Sequence, residues 1–458
     1  MALAFLDRDR SIAPAGYSRW LVPPAALAIH LSIGQVYAFS VFKNPLLALH
    51  AADGAAWNLK EVGYIFSIAI AFLGISAALF GAWLEKAGPR RAMFYAAICF
   101  GAGFFIASLG ASTHQLALIY LGYGVIGGIG LGLGYISPVS TLIKWFPDRP
   151  GLGTGLAIMG FGGGAMIGGP LANQLMAHFT AAGQPSIPYT MMTMGALYFI
   201  FMMFGVFTIR VPQDGWQPAG WVPPVKQSTL ISKHNVAATE AWRTPQFWLL
   251  WLVLFTNVTA GIGILEQASP MIQDFFKGGI GPVAAVGFVG ILSIFNMAGR
   301  FLWASVSDFV GRKATYFIFF ILGPILYFFL PFTRADKINS VPIFVAIAAV
   351  VISMYGGGFS TMPAYVKDLF GGLSVSAIYG RVLTAWSAAG IIGPLIVNGI
   401  LDHYVENKMP KQNAYPLILN IMCGLLVVGF LANLMIRPVD QKYWLKDQTV
   451  PESTGAAH

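Results

Sequence analysis

Charged residues are scarce in this chain: Asp, Glu, Lys and Arg make up 10% of its 458 residues, whereas 57% are hydrophobic and the mean hydropathy is +0.69. So little charge cannot dress a water-soluble surface of this size, which excludes a soluble globular protein and points to a polytopic membrane protein. Cysteine is scarcer still. Cys99 and Cys423 both fall in apolar runs, so neither a disulfide framework nor a metal site is indicated. Catalytic signatures are missing as well: there is no helical His-Glu zinc motif, no Ser nucleophile elbow and no carboxylate pair at membrane depth. The chain is therefore not expected to be an enzyme or to need a cofactor. The first twenty residues, MALAFLDRDRSIAPAGYSRW, mix acids and bases early and have no apolar core with a cleavage site, so no signal peptide is expected.

What is present is apolar length. Runs at 20–42, 62–84, 92–111, 116–143, 152–178, 189–209, 246–271, 283–306, 314–332, 341–363, 375–400 and 414–436 each approach or exceed the span of a bilayer. They predict an all-α membrane protein of twelve transmembrane helices. A net charge of +9 would suggest nucleic acid in a soluble protein, but here the bases read first as a topology signal, and no nucleic-acid partner is expected. With both ends on one side, the segments on that side hold eighteen Lys and Arg and the opposite segments seven. This positive-inside bias predicts a cytoplasmic membrane protein with both termini, and the loop between the sixth and seventh runs, in the cytoplasm. The loop is rich in Pro and polar residues, a linker composition. It divides the chain into a six-helix half at 1–209, a linker at 210–245, a second half at 246–437 and a tail at 438–458.

The halves echo each other. Glu85-Lys86-Ala-Gly88-Pro-Arg90-Arg91 follows the second span, and Asp308-Phe-Val-Gly311-Arg312-Lys313 follows the eighth, 223 residues later. Tyr135-Ile-Ser-Pro138 and Phe359-Ser-Thr-Met-Pro363 end the fourth and tenth spans at nearly the same offset, and Gly169-Pro170 recurs as Gly393-Pro394. A repeat of this length is the usual construction of a secondary transporter, two pseudo-symmetric bundles moving against each other. Glu85, Arg90, Arg91, Asp308, Arg312 and Lys313 then sit where ion pairs can latch the halves at the cytoplasmic surface, each pair contributing about 1 kcal/mol if exposed. Topology anchoring alone is the plainer alternative. Glycines at three- and four-residue spacing in the fourth and fifth spans mark close-packing or bendable faces; with no preceding strand and no acid downstream, they do not read as a dinucleotide loop.

Inside the eighth run sits one charge, Arg300. A cation in hydrocarbon costs several kcal/mol, so it normally faces a protein-lined cavity with a partner for its charge. No carboxylate lies elsewhere in that run, and Arg300 falls roughly 12 Å along the helix from Asp308, near mid-membrane. The expected partner is a soluble anion, with Asn296 one turn away supporting the guanidinium or donating to the same ligand. The alternative is a structural arginine bonded to helix carbonyls.

Lys144-Trp-Phe-Pro-Asp-Arg-Pro-Gly-Leu-Gly-Thr-Gly155, Thr244-Pro-Gln-Phe-Trp248 and the stretch from Asn296 through Arg312 resemble the oxalate/formate antiporter family of the major facilitator superfamily, twelve-span exchangers or cotransporters of small carboxylates. The similarity covers nearly all of 18–437. It implies the major facilitator fold, a substrate arginine at Arg300, and cavity aromatics at Tyr37, Tyr135, Phe161, Tyr355 and Phe359. The family's oxalate exchanger has a lysine in the eleventh span; the motif Tyr379-Gly-Arg-Val-Leu-Thr-Ala-Trp386 puts Trp386 at that position. One arginine leaves a dianion with uncompensated charge, which low dielectric penalises. A monocarboxylate such as formate, pyruvate or lactate is therefore expected in preference to oxalate, carried by a monomeric alternating-access transporter as antiport or proton symport. His30 and Glu266 are the candidate proton carriers, with a packing histidine and a solvated mouth residue as the plainer readings. An oxalate:formate exchanger proper, or an exporter of other organic anions, is the alternative. A multidrug exporter would want an acidic cavity, and a sensor would want a signalling domain that the short linker and tail do not supply.

Overall fold

The structure, a computed structural model, describes residues 4–49, 57–222, 230–277 and 279–449. In hydrocarbon every backbone amide must be bonded within its own segment, so the apolar runs have no choice but helix. Twelve helices among the described residues are long and apolar enough to cross a membrane. They are α1 (Arg19–Ala38), α2 (Leu59–Ala87), α3 (Pro89–Ser112), α4 (Leu116–Trp145), α5 (Pro150–Ala181) and α6 (Ser186–Thr208) in the first half. The second half holds α7 (Pro245–Phe275), α8 (Pro282–Val310), α9 (Arg312–Phe329), α10 (Val341–Phe370), α11 (Val375–Glu406) and α12 (Ala414–Met435). The protein is thus a multi-pass, all-α membrane protein built as two six-helix bundles. Twelve crossings bring the start of α1 and the end of α12 to one face, here called the termini face.

Local chemistry sets the boundaries. Proline opens α3, α5, α7 and α8, where its missing N–H would have had no helical partner. The Thr244 hydroxyl accepts the Phe247 N–H at the start of α7, and Asn58 with Glu61 forms a reciprocal capping box on α2. The sharp turns α2–α3 and α8–α9 each pivot on one glycine, Gly88 at φ 86° and Gly311 at φ 89°, a backbone region closed to most side chains.

Those two glycines also display the repeat in three dimensions. Helices α2 and α8 are both 29 residues long and begin and end 223 positions apart. The halves meet along two equivalent seams, α5 against α8 and α2 against α11. The termini face is strapped. The Val211 carbonyl accepts the Ala13 N–H and the Val211 N–H donates to the Ser11 carbonyl, while β1 (His234–Val236) pairs antiparallel with β2 (Trp444–Thr449) in the tail. The described parts of the stretch between the bundles are therefore tied to both of them.

Candidate functional site

Helical rise alone brings the expected residues to one level. Counted from the termini-face end of its own helix, Arg300 is ten residues in, Tyr135 ten, and Phe161, Phe359, Trp386 and His30 eleven, or about 15–17 Å each at 1.5 Å per residue. Lateral packing then closes the ring. Trp386 sits at the centre, its indole 4.5 Å from the Phe359 ring and 5.3 Å from both Tyr135 and Phe161, centroid to centroid. Tyr37 packs edge-on against Phe161 at 5.2 Å, and Tyr355 against Phe359 at 5.2 Å. Five of the six rings are fully buried; Tyr37 is half-buried.

Arg300 enters this cage from α8. It is 0% exposed, and its guanidinium carbon lies 5.0 Å from the Phe359 ring centre and 5.4 Å from that of Phe161, within cation–π range. Its Nε donates to Asn296 Oδ1 at 3.0 Å, the i, i+4 contact the sequence suggests. That bond holds the flat group with Nη1 and Nη2 forward, and neither has a hydrogen-bond partner. No described carboxylate pairs with Arg300, and its two Nη groups do not bond helix carbonyls as those of a purely structural arginine would. The Tyr135 hydroxyl is also buried and unbonded, and Tyr37, Tyr135, Tyr355 and Tyr379 all feel the charge of Arg300. The close approach of α10 depends on Gly356: a Cβ there would fall 2.4 Å from the Asn296 carbonyl oxygen and 2.7 Å from its Oδ1. Buried donors without acceptors are costly, and four forward-facing N–H groups with an adjacent phenol are a donor set that can hold an anion.

On the side away from the termini, the Tyr37 hydroxyl meets the Tyr355 hydroxyl at 2.9 Å, a bond between the halves. On the termini side the seal is deeper. Asp308 reaches into the other half, where Oδ1 accepts the Gly151 N–H and Oδ2 the Leu152 N–H, both at 2.8 Å, at the positive end of α5. Glu85 makes the pseudo-symmetric contact, Oε1 accepting the Ala377 N–H of α11 at 3.2 Å. The Thr154 hydroxyl donates to the Ser360 carbonyl at 2.6 Å between them.

The basic members of the expected latch behave differently. Arg312 pairs with Asp308 at 2.6 Å and with Asp368 at 3.3 Å, all inside the second half, and Asp308 and Arg312 are each only 6% exposed. Arg90 spends its guanidinium on the carbonyls of Phe5, Arg10 and Ile209, Arg91 pairs with Asp7, and Lys313 donates to the carbonyls of Leu434 and Ile436. Among the described residues the halves are therefore bridged at this face by carboxylates on helix N-termini, not by exposed ion pairs. The arginines and the lysine brace their own bundles. Arg90 and Lys313 fill equivalent roles, closing the carbonyl ends of α6 and α12.

His30 lies behind the cage, fully buried, with Nε2 3.2 Å from the Tyr135 carbonyl oxygen and Nδ1 unbonded. The Glu266 side chain lies outside the described residues. Two neighbours of the site were not singled out from sequence. Tyr379 stands 6.4 Å from Tyr135 and donates to the Phe359 carbonyl, and its i, i+7 spacing from Trp386 was the available signal. Met297, next to Asn296, packs where α5 passes Gly162 and Gly163.

The Major Facilitator Superfamily matches two overlapping stretches, 15–394 and 293–450. Among curated proteins, the chain is 26% identical to an oxalate:formate antiporter of Oxalobacter formigenes over 82% of this chain and 83% of that one. It is 23% identical to apicoplast pyruvate carrier 1 of Toxoplasma gondii over 73% and 68%. Among solved structures, FucP, a Major Facilitator Superfamily transporter in the outward conformation, superposes with a TM-score of 0.62 over 91% of this chain and 99% of that one, at 14% identity. With the twelve helices, the two matched bundles and a family match over most of its length, the chain belongs to the Major Facilitator Superfamily of transporters.

Proposed function

We propose that the protein carries small monocarboxylates, of the size of formate, pyruvate or lactate, across the cytoplasmic membrane by alternating access, with both termini in the cytoplasm and one chain as the working unit. The observation that carries this reading is the pair of buried, unbonded Arg300 Nη groups. A carboxylate fits a planar two-pronged donor edge to edge, and the Tyr135 hydroxyl can add a third donor. The rings crowd the guanidinium closely, which suits a short carboxylate better than a long one, and Trp386 stands at the centre where a second anionic group would need a second cation.

Oxalate:formate exchange is the second reading, favoured by similarity to the Oxalobacter formigenes antiporter. Charge counting weighs against it, because Arg300 is the one described cation that reaches into the cage, and the second carboxylate of a dianion would have no cation in contact with it. The test is uptake and counterflow in proteoliposomes over a panel of mono- and dicarboxylates, with and without a proton gradient. Saturable transport of a monocarboxylate that outcompetes oxalate supports the proposal. Preference for oxalate over every monocarboxylate refutes its substrate assignment, and transport of neither class refutes the anion site.

A further inference from the structure

We infer that His30 is the proton-carrying partner of the anion site, protonated while a carboxylate is held at Arg300 and neutral while it is not; this rests on the carboxylate reading above. The argument starts from an unsatisfied atom. A carbonyl oxygen can only accept, so the 3.2 Å contact with the Tyr135 carbonyl requires a proton on Nε2. In the neutral ring this leaves Nδ1 as a bare lone pair, buried and without a donor. A histidine kept for packing would have both nitrogens satisfied. The Ala157 carbonyl of α5 also acts on the ring, although it is not hydrogen-bonded to Nδ1, so the backbone around the imidazole presents acceptors and no donor to that nitrogen. The imidazolium would thus stand between carbonyls of α4 and α5.

Its place in the site supplies the coupling. The His30 ring packs edge-on against Tyr135 at 5.3 Å and Phe161 at 6.5 Å, the two rings that separate it from the guanidinium. The titratable and charged groups facing it are Tyr135 from α4 and Arg300 from α8; α5 presents Phe161, Gly160 and the Ala157 carbonyl. Burial opposes a charged ring here first of all, and the unpaired charge of Arg300 opposes it further. A carboxylate on Arg300 cancels that charge and lets the ring take a proton from the aqueous side to which the site is open, forming one N–H bond at Nδ1 and breaking none in the substrate. Anion and proton then bind cooperatively, and the cooperativity is reciprocal. The site carries one positive charge both empty, on Arg300, and fully loaded, on Arg300, carboxylate and His30 together. Both states can therefore reorient at the same electrostatic cost.

The experiment is calorimetric titration of the purified full-length protein with formate and with lactate from pH 5.5 to 8, in buffers of different ionisation enthalpy so that linked protons are counted. The wild type should take up close to one proton per anion on the alkaline side of the range, with affinity falling up to tenfold per pH unit there. His30→Gln should bind with no linked proton and a flat pH profile, and in proteoliposomes it should keep counterflow while losing stimulation by an inward proton gradient. Binding by the wild type without proton uptake, or an unchanged proton count in His30→Gln, overturns the inference and leaves the carboxylate reading standing. If the variant fails to fold, imidazole 15N spectra of the wild type decide: the His30 ring should become doubly protonated on adding formate, and a ring that stays neutral overturns it. Failure of every monocarboxylate to bind removes the carboxylate reading, and this inference with it.

Discussion

Asp308 and Glu85 occupy equivalent positions in the two halves, yet the contacts they make predict unequal effects on the seal at the termini face. Asp308 is 6% exposed and accepts two backbone N–H groups of α5 at 2.8 Å, one on each oxygen. In Asp308→Asn one of those oxygens becomes an NH2 that opposes an N–H, and the other loses its charge. Hydrogen bonds to a charged group contribute about 1.5–3 kcal/mol each and the helix terminus adds some tenths, so the loss is about 2–3 kcal/mol. Arg312 keeps Asp368, which limits the damage to the free-standing half. The lost contacts to α5 cross between halves, so their loss falls on the closed seal alone and shifts the open-to-closed ratio roughly 30- to 140-fold at about 1.4 kcal/mol per decade. Glu85 makes one hydrogen bond, at 3.2 Å, from a half-buried side chain, and among the described residues no Lys or Arg lies within ion-pair distance of it, although the charge of Arg381 in the other half acts on it from farther away. Its Gln variant should shift the ratio by about fivefold, for one hydrogen bond of about 1 kcal/mol. Double electron–electron resonance between spin labels at Lys86 and Leu373, both exposed, with Cys99 and Cys423 replaced by Ala, measures the two populations in nanodiscs. Equal opening by the two variants, or a larger effect of Glu85→Gln, refutes the reasoning.

Arg300→Gln and Arg300→Lys should both lose transport while inserting normally, because neither presents the planar two-pronged edge; full uptake by Arg300→Gln in proteoliposomes would remove the anion site. Asn296→Ala should weaken monocarboxylate binding by about 1 kcal/mol, roughly fivefold in Kd, since Nε loses its acceptor while Nη1 and Nη2 remain; an unchanged Kd contradicts the orienting role. Tyr355→Phe should break the hydroxyl pair with Tyr37 and raise access from the face opposite the termini, read as faster alkylation of a cysteine placed at Met297, and no change in rate would remove the pair as a seal. Trp386→Lys adds a second cation at the level of Arg300 and removes the indole at the cage centre, so oxalate should gain on formate in competition; a ratio unmoved from wild type would mean that charge at this position does not set selectivity.

The topology was legible because bilayer thickness and backbone hydrogen bonding leave an apolar run of twenty residues one outcome, and α2 and α8 differ from the 62–84 and 283–306 runs only at their ends. The level of the candidate site was legible for a related reason: a straight helix converts residue count into depth, and one charge in an apolar run faces the interior of the bundle and not lipid. What counting cannot supply is azimuth, the direction in which a side chain leaves its helix relative to helices more than a hundred residues away. Tyr37 meeting Tyr355 and Trp386 standing between Phe359 and Phe161 are azimuthal facts. The same limit explains the latch. From sequence, acid and base beside one another suggest an ion pair; in space, the partner of Asp308 across the seam is backbone, and a free N–H at a helix start leaves no mark in the identity of Gly151 or Leu152. The repeat held the missing clue, since the offset that carries Glu85 to Asp308 also carries the start of α5 to the start of α11, within two residues. Two acids related by the pseudo-symmetry must meet two helix ends related by it, so each half contributes the same pair of parts to the seal, and the rocking motion of the proposed alternating access would break both contacts at once.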